Sequence, residues 1–105
     1  MRTTLLASFI AALALMLLPI SAANAVGPGK QCGGFPGIQC DAGLFCQKKA
    51  GSCNVIDMSG TCARIPKICP KHILYVCGCD NKTYNNDCER QQAMVSLAHK
   101  GKCTY

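Results

Sequence analysis

The chain has 105 residues, ten of them cysteine, and a formal net charge of +6 at pH 7. Its basic residues are scattered apart from the pair Lys48-Lys49, and no basic run alternates with aromatic residues, which argues against nucleic-acid binding. A short chain with this much cysteine and few large apolar residues is typical of an exported disulfide scaffold, and it is too small to enclose the cleft of an enzyme.

The first 25 residues have the pattern of a secretory signal peptide. Met1-Arg2 is a short positive start, Leu5 to Leu18 is an almost unbroken apolar run, and Ala23-Asn24-Ala25 offers small residues at a cleavage site. A membrane anchor is the alternative, but the apolar run is short for a bilayer span and ends at Pro19. We therefore predict a signal peptide over residues 1–25 and a secreted protein, extracellular or periplasmic, with no membrane attachment after cleavage.

The next segment, residues 26–60, is rich in glycine and proline, and no helical or strand period persists in it. We predict a small loop-rich cysteine module that ends in a linker over residues 54–60. Its sequence CGGFPGIQCDAGLFC resembles the growth-factor-binding-protein type of cysteine-rich module, through the pattern C-G-G…C-x-x-G-L-x-C. That resemblance implies two bridges, Cys32–Cys46 and Cys40–Cys53.

The remaining residues, 61–105, carry clearer structural signals and the other six cysteines. Tyr75 to Cys79 and Lys82 to Tyr84 are short runs that favour strands. They flank Asp80-Asn81, a turn-forming pair. The pattern predicts a short β-hairpin.

A short helix is predicted after this hairpin. Asn86, followed three residues later by Glu89, has the form of a helix N-cap with a capping box, so the helix should run from about Asp87 to Ala93. Residues 94–99 then fit both a helical and a strand spacing, and periodicity alone leaves that choice open.

The stretch CPKHILYVCGCD, Cys69 to Asp80, admits three chemical interpretations. A zinc site is disfavoured, because paired zinc cysteines are usually separated by two to four residues and an oxidising compartment favours bridges. A redox site would need Cys-x-x-Cys beside a βαβ pattern, and hydrolysis would need a nucleophile, a base and an acid in a cleft. We therefore favour a displayed loop with Lys71 at its crest, in which Pro70 favours an extended backbone. No catalytic residue, metal site or cofactor is predicted.

The segment from Cys62 to Cys103 resembles the Kazal-type serine protease inhibitors in two sequences, VCGCDNKTYNNDC and VSLAHKGKC, with Cys69 shortly before the first. The resemblance implies a small disulfide-rich α+β fold, with a short three-stranded sheet and one helix. The last strand of that fold favours strand over helix for Val95 to His99. The layout, with a small cysteine-rich module in front, is similar to short exported Kazal proteins of bacteria.

The resemblance also implies roles for individual residues. The primary specificity residue of the family lies two places after the second cysteine, which is Lys71 here, so the bond presented to a protease would be Lys71–His72. A lysine ammonium can reach the carboxylate at the base of a trypsin-like pocket. Asn86 would brace the loop by hydrogen bonds to its carbonyls, with Tyr84 as a second supporting residue. The protease-binding reactive loop would comprise Cys69, Pro70, Lys71, His72, Ile73 and Leu74.

The cysteines depart from the common family pattern. The family usually has a cysteine within its helix, but Glu89 to Ala98 contains none, and Cys79 lies at a position that is not usually cysteine. If Cys69–Cys88 and Cys77–Cys103 form as in the family, exclusion leaves Cys62–Cys79.

From these observations we predict a secreted, monomeric inhibitor whose partner is a trypsin-like serine protease, with no nucleic-acid or membrane partner. The alternative is a non-inhibitory module that uses the same fold to bind another protein or the matrix. The expected organisation is a signal peptide (1–25), a small cysteine module (26–60) and a Kazal-like domain (61–105).

Overall fold

The structure, a computed structural model, describes residues 24–104. The predicted signal peptide lies outside the described residues except for its last two. Within the described range, no helix combines the length and the apolar character that a bilayer crossing needs. The elements of this range are β1 (Gln31–Gly33), β2 (Leu44–Lys48), β3 (Ser59–Arg64), β4 (Val76–Gly78), β5 (Thr83–Tyr84), α1 (Asp87–Gln92) and β6 (Leu97–Lys100).

The first sheet is antiparallel, with the strand order β1-β3-β2. Strand β3 is central, since Gln31 of β1 and Gln47 of β2 both lie opposite its Thr61. The sequence predicted a linker over residues 54–60, and the boundary predicted between residues 60 and 61 falls inside β3. These strands are short and rich in glycine, cysteine and polar residues, so they lack the apolar alternation by which strands are recognised in a sequence.

Disulfides form much of the core of this sheet. Cys32 and Cys62 are buried, and Phe45 is the large apolar side chain buried with them in the core. The Cys32–Cys46 bridge joins β1 to β2. It passes over β3 at Gly60, where a Cβ atom would lie only 3.0 Å from the Cys46 sulfur and 2.5 Å from a backbone oxygen. Glycine at this position therefore leaves the room that the bridge needs.

The second sheet has the order β5-β4-β6 and is also antiparallel. Val76 and Cys77 of the central strand are buried. The predicted hairpin is confirmed, with β4 and β5 joined through a turn in which Asn81 adopts a positive φ of 63°. Periodicity left residues 94–99 open between helix and strand, and the structure has strand β6 over Leu97–Lys100. With helix α1, this sheet confirms the small α+β fold that the sequence predicts.

Helix α1 begins as predicted. Its N-cap residue, Asn86, has an extended backbone, and its side-chain oxygen accepts a hydrogen bond from the Glu89 N–H at 2.9 Å. The Glu89 carboxylate in turn accepts one from the Asn86 amide at 3.0 Å, which completes a reciprocal pair of side-chain contacts. The helix ends with Ala93 as its C-cap, and six residues are too few for it to be stable without tertiary contacts.

Five disulfides join all ten cysteines. Three of these pairs agree with the resemblances in the sequence, namely Cys32–Cys46, Cys69–Cys88 and Cys77–Cys103. The other two expected pairs, Cys40–Cys53 and Cys62–Cys79, are wrong. The structure contains Cys40–Cys62 and Cys53–Cys79 instead.

Strand pairing explains this exchange of partners. Cys62 lies in β3, directly opposite Cys46 of β2, so it belongs to the first sheet. Cys53 follows β2 in a turn that docks against the second sheet, because the Gly51 N–H donates to the Leu97 carbonyl at 2.9 Å. This docking brings Cys53 next to Cys79 and makes their bridge a covalent link between the two sheets.

Candidate functional site

The segment between Cys69 and β4 forms no helix or strand, and it is the displayed loop of this molecule. Pro70, Lys71 and His72 are exposed, and so are the large apolar side chains that follow, Ile73 at 57% and Leu74 at 70%. The Cys69–Cys88 bridge fixes one end of the loop to helix α1. The Cys77–Cys103 bridge fixes the strand into which the other end runs.

Asn86 connects this loop to the start of the helix. Its side chain is fully buried, and its amide nitrogen donates to the carbonyl of Pro70 at 3.1 Å and to that of His72 at 2.9 Å. These two carbonyls lie on either side of Lys71. The backbone around the lysine is therefore held at two points, while its side chain stays in solvent.

Two further hydrogen bonds fasten the loop outside this central pair. The Leu74 N–H donates to the Asn85 carbonyl at 2.7 Å, and the Gln92 side chain donates to the Lys67 carbonyl at 3.1 Å. With Asn86 and the Cys69–Cys88 bridge, every one of these attachments comes from residues 85–92. The sequence predicted the attachments through Asn86 and through the Cys69–Cys88 bridge, whereas the other two attachments depend on how the helix lies beside the loop.

Tyr84, predicted as a second supporting residue, contacts the hairpin instead of hydrogen-bonding to the loop. Its hydroxyl donates to the Asp80 carboxylate in the hairpin turn. Burial, together with the hydrogen bond to Asp80 and the charge of that carboxylate, raises the pKa of Tyr84 to about 12. Its ring lies close to Gly78, where a Cβ atom would come within 3.0 Å of it. Tyr84 thus stabilises the hairpin whose first strand begins just after the loop.

Arg90 is a functional neighbour that the sequence did not reveal. It is 3% exposed, and its guanidinium donates to Asp87 at 2.8 Å, to the Val95 carbonyl, and to Gln47 of β2 at 3.0 Å. The hydrogen bond from Arg90 holds the pKa of the Asp87 carboxyl below its usual value, against the opposite effect of burial. One side chain therefore ties the helix that supports the loop to the first sheet.

In residues 24–104, the cysteine sulfur atoms are paired in disulfides and are not free thiolates. The sulfur atoms of Cys32, Cys40 and Cys62 lie within 4.8 Å of one another. Each of them belongs to a disulfide, as do Cys77 and Cys79 of the C-G-C sequence. Metal binding requires a thiolate, so these sulfur atoms serve as cross-links.

What the loop can do chemically follows from these contacts. It offers an exposed lysine on a backbone that is already fixed by hydrogen bonds and a bridge. A segment held in its bound shape loses little conformational entropy when it docks, so its contacts contribute efficiently to affinity. Such a loop suits insertion into a cleft of another protein.

Comparison with known proteins identifies the family. The Kazal-type serine protease inhibitor domain matches residues 46–103. Ovomucoids of Casuarius bennetti and Struthio camelus are each 41% identical in an alignment over 49 residues, and these matches cover 40% of this chain and 91% of theirs. The ovomucoid of Coturnix delegorguei is 45% identical in an alignment over 49 residues that covers 40% of this chain and 94% of its own. The chain belongs to the Kazal-type serine protease inhibitor family.

Proposed function

We propose that the protein is a secreted inhibitor of trypsin-like serine endopeptidases that presents Lys71 to the specificity pocket, with Lys71–His72 as the target bond. The observation that carries the proposal is the pair of hydrogen bonds from Asn86 to the carbonyls of Pro70 and His72. They brace the backbone on both sides of an exposed cation. A lysine ammonium on a flexible stem suits a pocket with a carboxylate at its base.

Inhibition would follow from what happens after the protease attacks this bond. Attack by the catalytic serine of the protease would break the Lys71–His72 amide bond, leaving the Lys71 carbonyl as an ester on that serine and a free amine on His72. The Asn86 side chain contacts both flanking carbonyls, and the two disulfides hold the segments on either side. The amine would therefore stay close to the acyl group, and reformation of the bond would compete with hydrolysis.

The remaining features of the proposal concern compartment and assembly. Five disulfides suit an oxidising compartment, which supports export directed by residues 1–25, to the periplasm or the outside. We propose that the exported protein acts as a monomer, with the protease as its partner.

Titration of trypsin with the oxidised protein tests the proposal. We expect stoichiometric inhibition by the wild type and none by Lys71→Asp, because a carboxylate would be repelled by the acid of the pocket. Lys30→Asp is the matched control, since it makes the same charge change at an exposed lysine just before β1, away from the loop and its supports. Circular dichroism should show that both variants keep the fold.

Two outcomes would contradict the proposal in different ways. Equal inhibition by the wild type and by Lys71→Asp would remove Lys71 from its role. If trypsin-, chymotrypsin- and subtilisin-like enzymes were all unaffected by the wild type, the alternative of a non-inhibitory binding module would be favoured.

A further inference from the structure

An apolar groove of about 650 Å³ lies beside the reactive loop, on the side that follows the target bond. Leu74, Tyr75 and Leu97 line it with apolar surface, and they belong to the loop, its continuation and strand β6. Leu74 is 70% exposed, so much of this apolar surface is in contact with water. Apolar side chains gathered in one groove offer surface that a partner can bury favourably.

The charged groups of the groove are mostly basic. Lys100 and Lys102 line it, and the Lys102 ammonium lies 4.8 Å from the centre of the Tyr75 ring. Asp87 is the acid among the lining residues, and its carboxylate accepts hydrogen bonds from Arg90 and from the Gln91 side chain. The two lysines therefore give the groove a positive character that an acidic partner would complement.

The groove is also continuous with the reactive loop. His72, which follows Lys71 directly, and Leu74 belong to both the loop and the groove lining. A protease bound at Lys71 would extend over this side of the molecule. The partner closest to the groove would then be the surface of that same protease.

We infer that this groove is a second contact surface for the bound protease, and that it accepts an acidic segment carrying an apolar side chain. The inference rests on the proposed function and extends it, because it adds a preference among proteases that share a pocket for lysine. Lys71 would select the pocket, whereas Lys100 and Lys102 would select the charge of the surface beside it.

Inhibition constants against an anionic and a cationic trypsin test this inference, since the two enzymes share the pocket and differ in surface charge. At low ionic strength, Lys100→Glu/Lys102→Glu should raise the constant for the anionic enzyme by about tenfold. The effect should shrink in about 1 M salt, where charges are screened within roughly 3 Å. Lys100→Gln/Lys102→Gln should give an intermediate effect.

The matched control is Lys30→Glu/Lys49→Glu, which makes the same change in net charge at exposed lysines of the first sheet region. It should change the constant for the anionic enzyme by less than about twofold, since it alters only the long-range field. Equal effects of both double variants, or no effect of the groove variant, would overturn the second contact surface while inhibition through Lys71 stands. A wild type that inhibits neither enzyme would instead overturn the proposed function, and this inference with it.

Discussion

At Asn86, one buried amide group has partners in two different elements. Its oxygen caps helix α1, and its nitrogen donates to the two carbonyls that flank Lys71. The two roles are separable by substitution, because a serine hydroxyl also caps a helix but is too short to span the distance to both carbonyls.

Asn86→Ser should therefore keep the helix and lose the brace. Loss of two hydrogen bonds worth about 1 kcal/mol each predicts a roughly thirtyfold rise in the inhibition constant against trypsin. Hydrolysis of the Lys71–His72 bond by trypsin should accelerate at the same time. The inhibition constant and the rate of hydrolysis are both measured with the purified oxidised protein.

Asn86→Ala provides the comparison for this residue. It removes the brace and also the cap, so it should inhibit as poorly as Asn86→Ser. Its free energy of unfolding should be about 1 kcal/mol lower than that of Asn86→Ser. If the serine variant inhibited like the wild type and resisted cleavage, the brace would have no role in inhibition.

Among the elements, helix α1 is the one that joins the loop around Lys71 to the first sheet. It has six residues, fewer than an isolated helix needs, so its position depends on its partners. Arg90 hydrogen-bonds to three of these partners, namely Asp87 in the helix, the Val95 carbonyl before β6 and Gln47 in β2. Because the loop is fastened to residues 85–92, a shift of this helix would move the loop as well.

Arg90→Met keeps the aliphatic stem and removes the guanidinium. Loss of the buried guanidinium, which donates to Asp87, Val95 and Gln47, should lower the free energy of unfolding by roughly 2–4 kcal/mol in denaturant titrations. The pKa of Asp87, followed by NMR, should rise toward its ordinary value because the hydrogen bond that lowers it is gone.

Gln91→Ala is the control in the same helix, since the Gln91 side chain donates to the same carboxylate from an exposed contact. Its cost should stay within about 0.5 kcal/mol. Similar losses from both substitutions would contradict the view that burial makes Arg90 the main link.

The elements that the sequence predicted correctly are those whose signals are local. The hairpin turn at Asp80-Asn81 and the capping box at Asn86 each depend on a few adjacent residues. Residues 94–99 were ambiguous, because Met94, the residue after the C-cap Ala93, turns the chain with a positive φ of 60° and no glycine marks that position. There the family resemblance favoured the strand.

For the molecule as a whole, disulfide pairing was the least predictable feature. Spacing along the chain does not show which cysteines face each other. The family resemblance begins at Cys62, so it gives no information about the pairing of this residue with β2 in the first sheet. Lys71 and Asn86 were predicted as site residues through a motif, whereas the contacts of Arg90 and Gln92 depend on the packing of distant segments. The family match begins at residue 46, before the boundary predicted between residues 60 and 61.

The Cys53–Cys79 bridge gives the association of the two sheets a direct test. Cys53→Ser/Cys79→Ser removes a loop of sequence separation 26 and should lower the free energy of unfolding by about 2–4 kcal/mol. The Gly51 amide, which bonds to Leu97 across the two sheets, should exchange its hydrogen faster.

Below the unfolding transition, inhibition of trypsin by this double variant should change by less than about threefold, because the loop keeps its Asn86 contacts and its Cys69–Cys88 bridge. A loss of inhibition as large as that of Asn86→Ser would instead make the first sheet part of the support of the reactive loop.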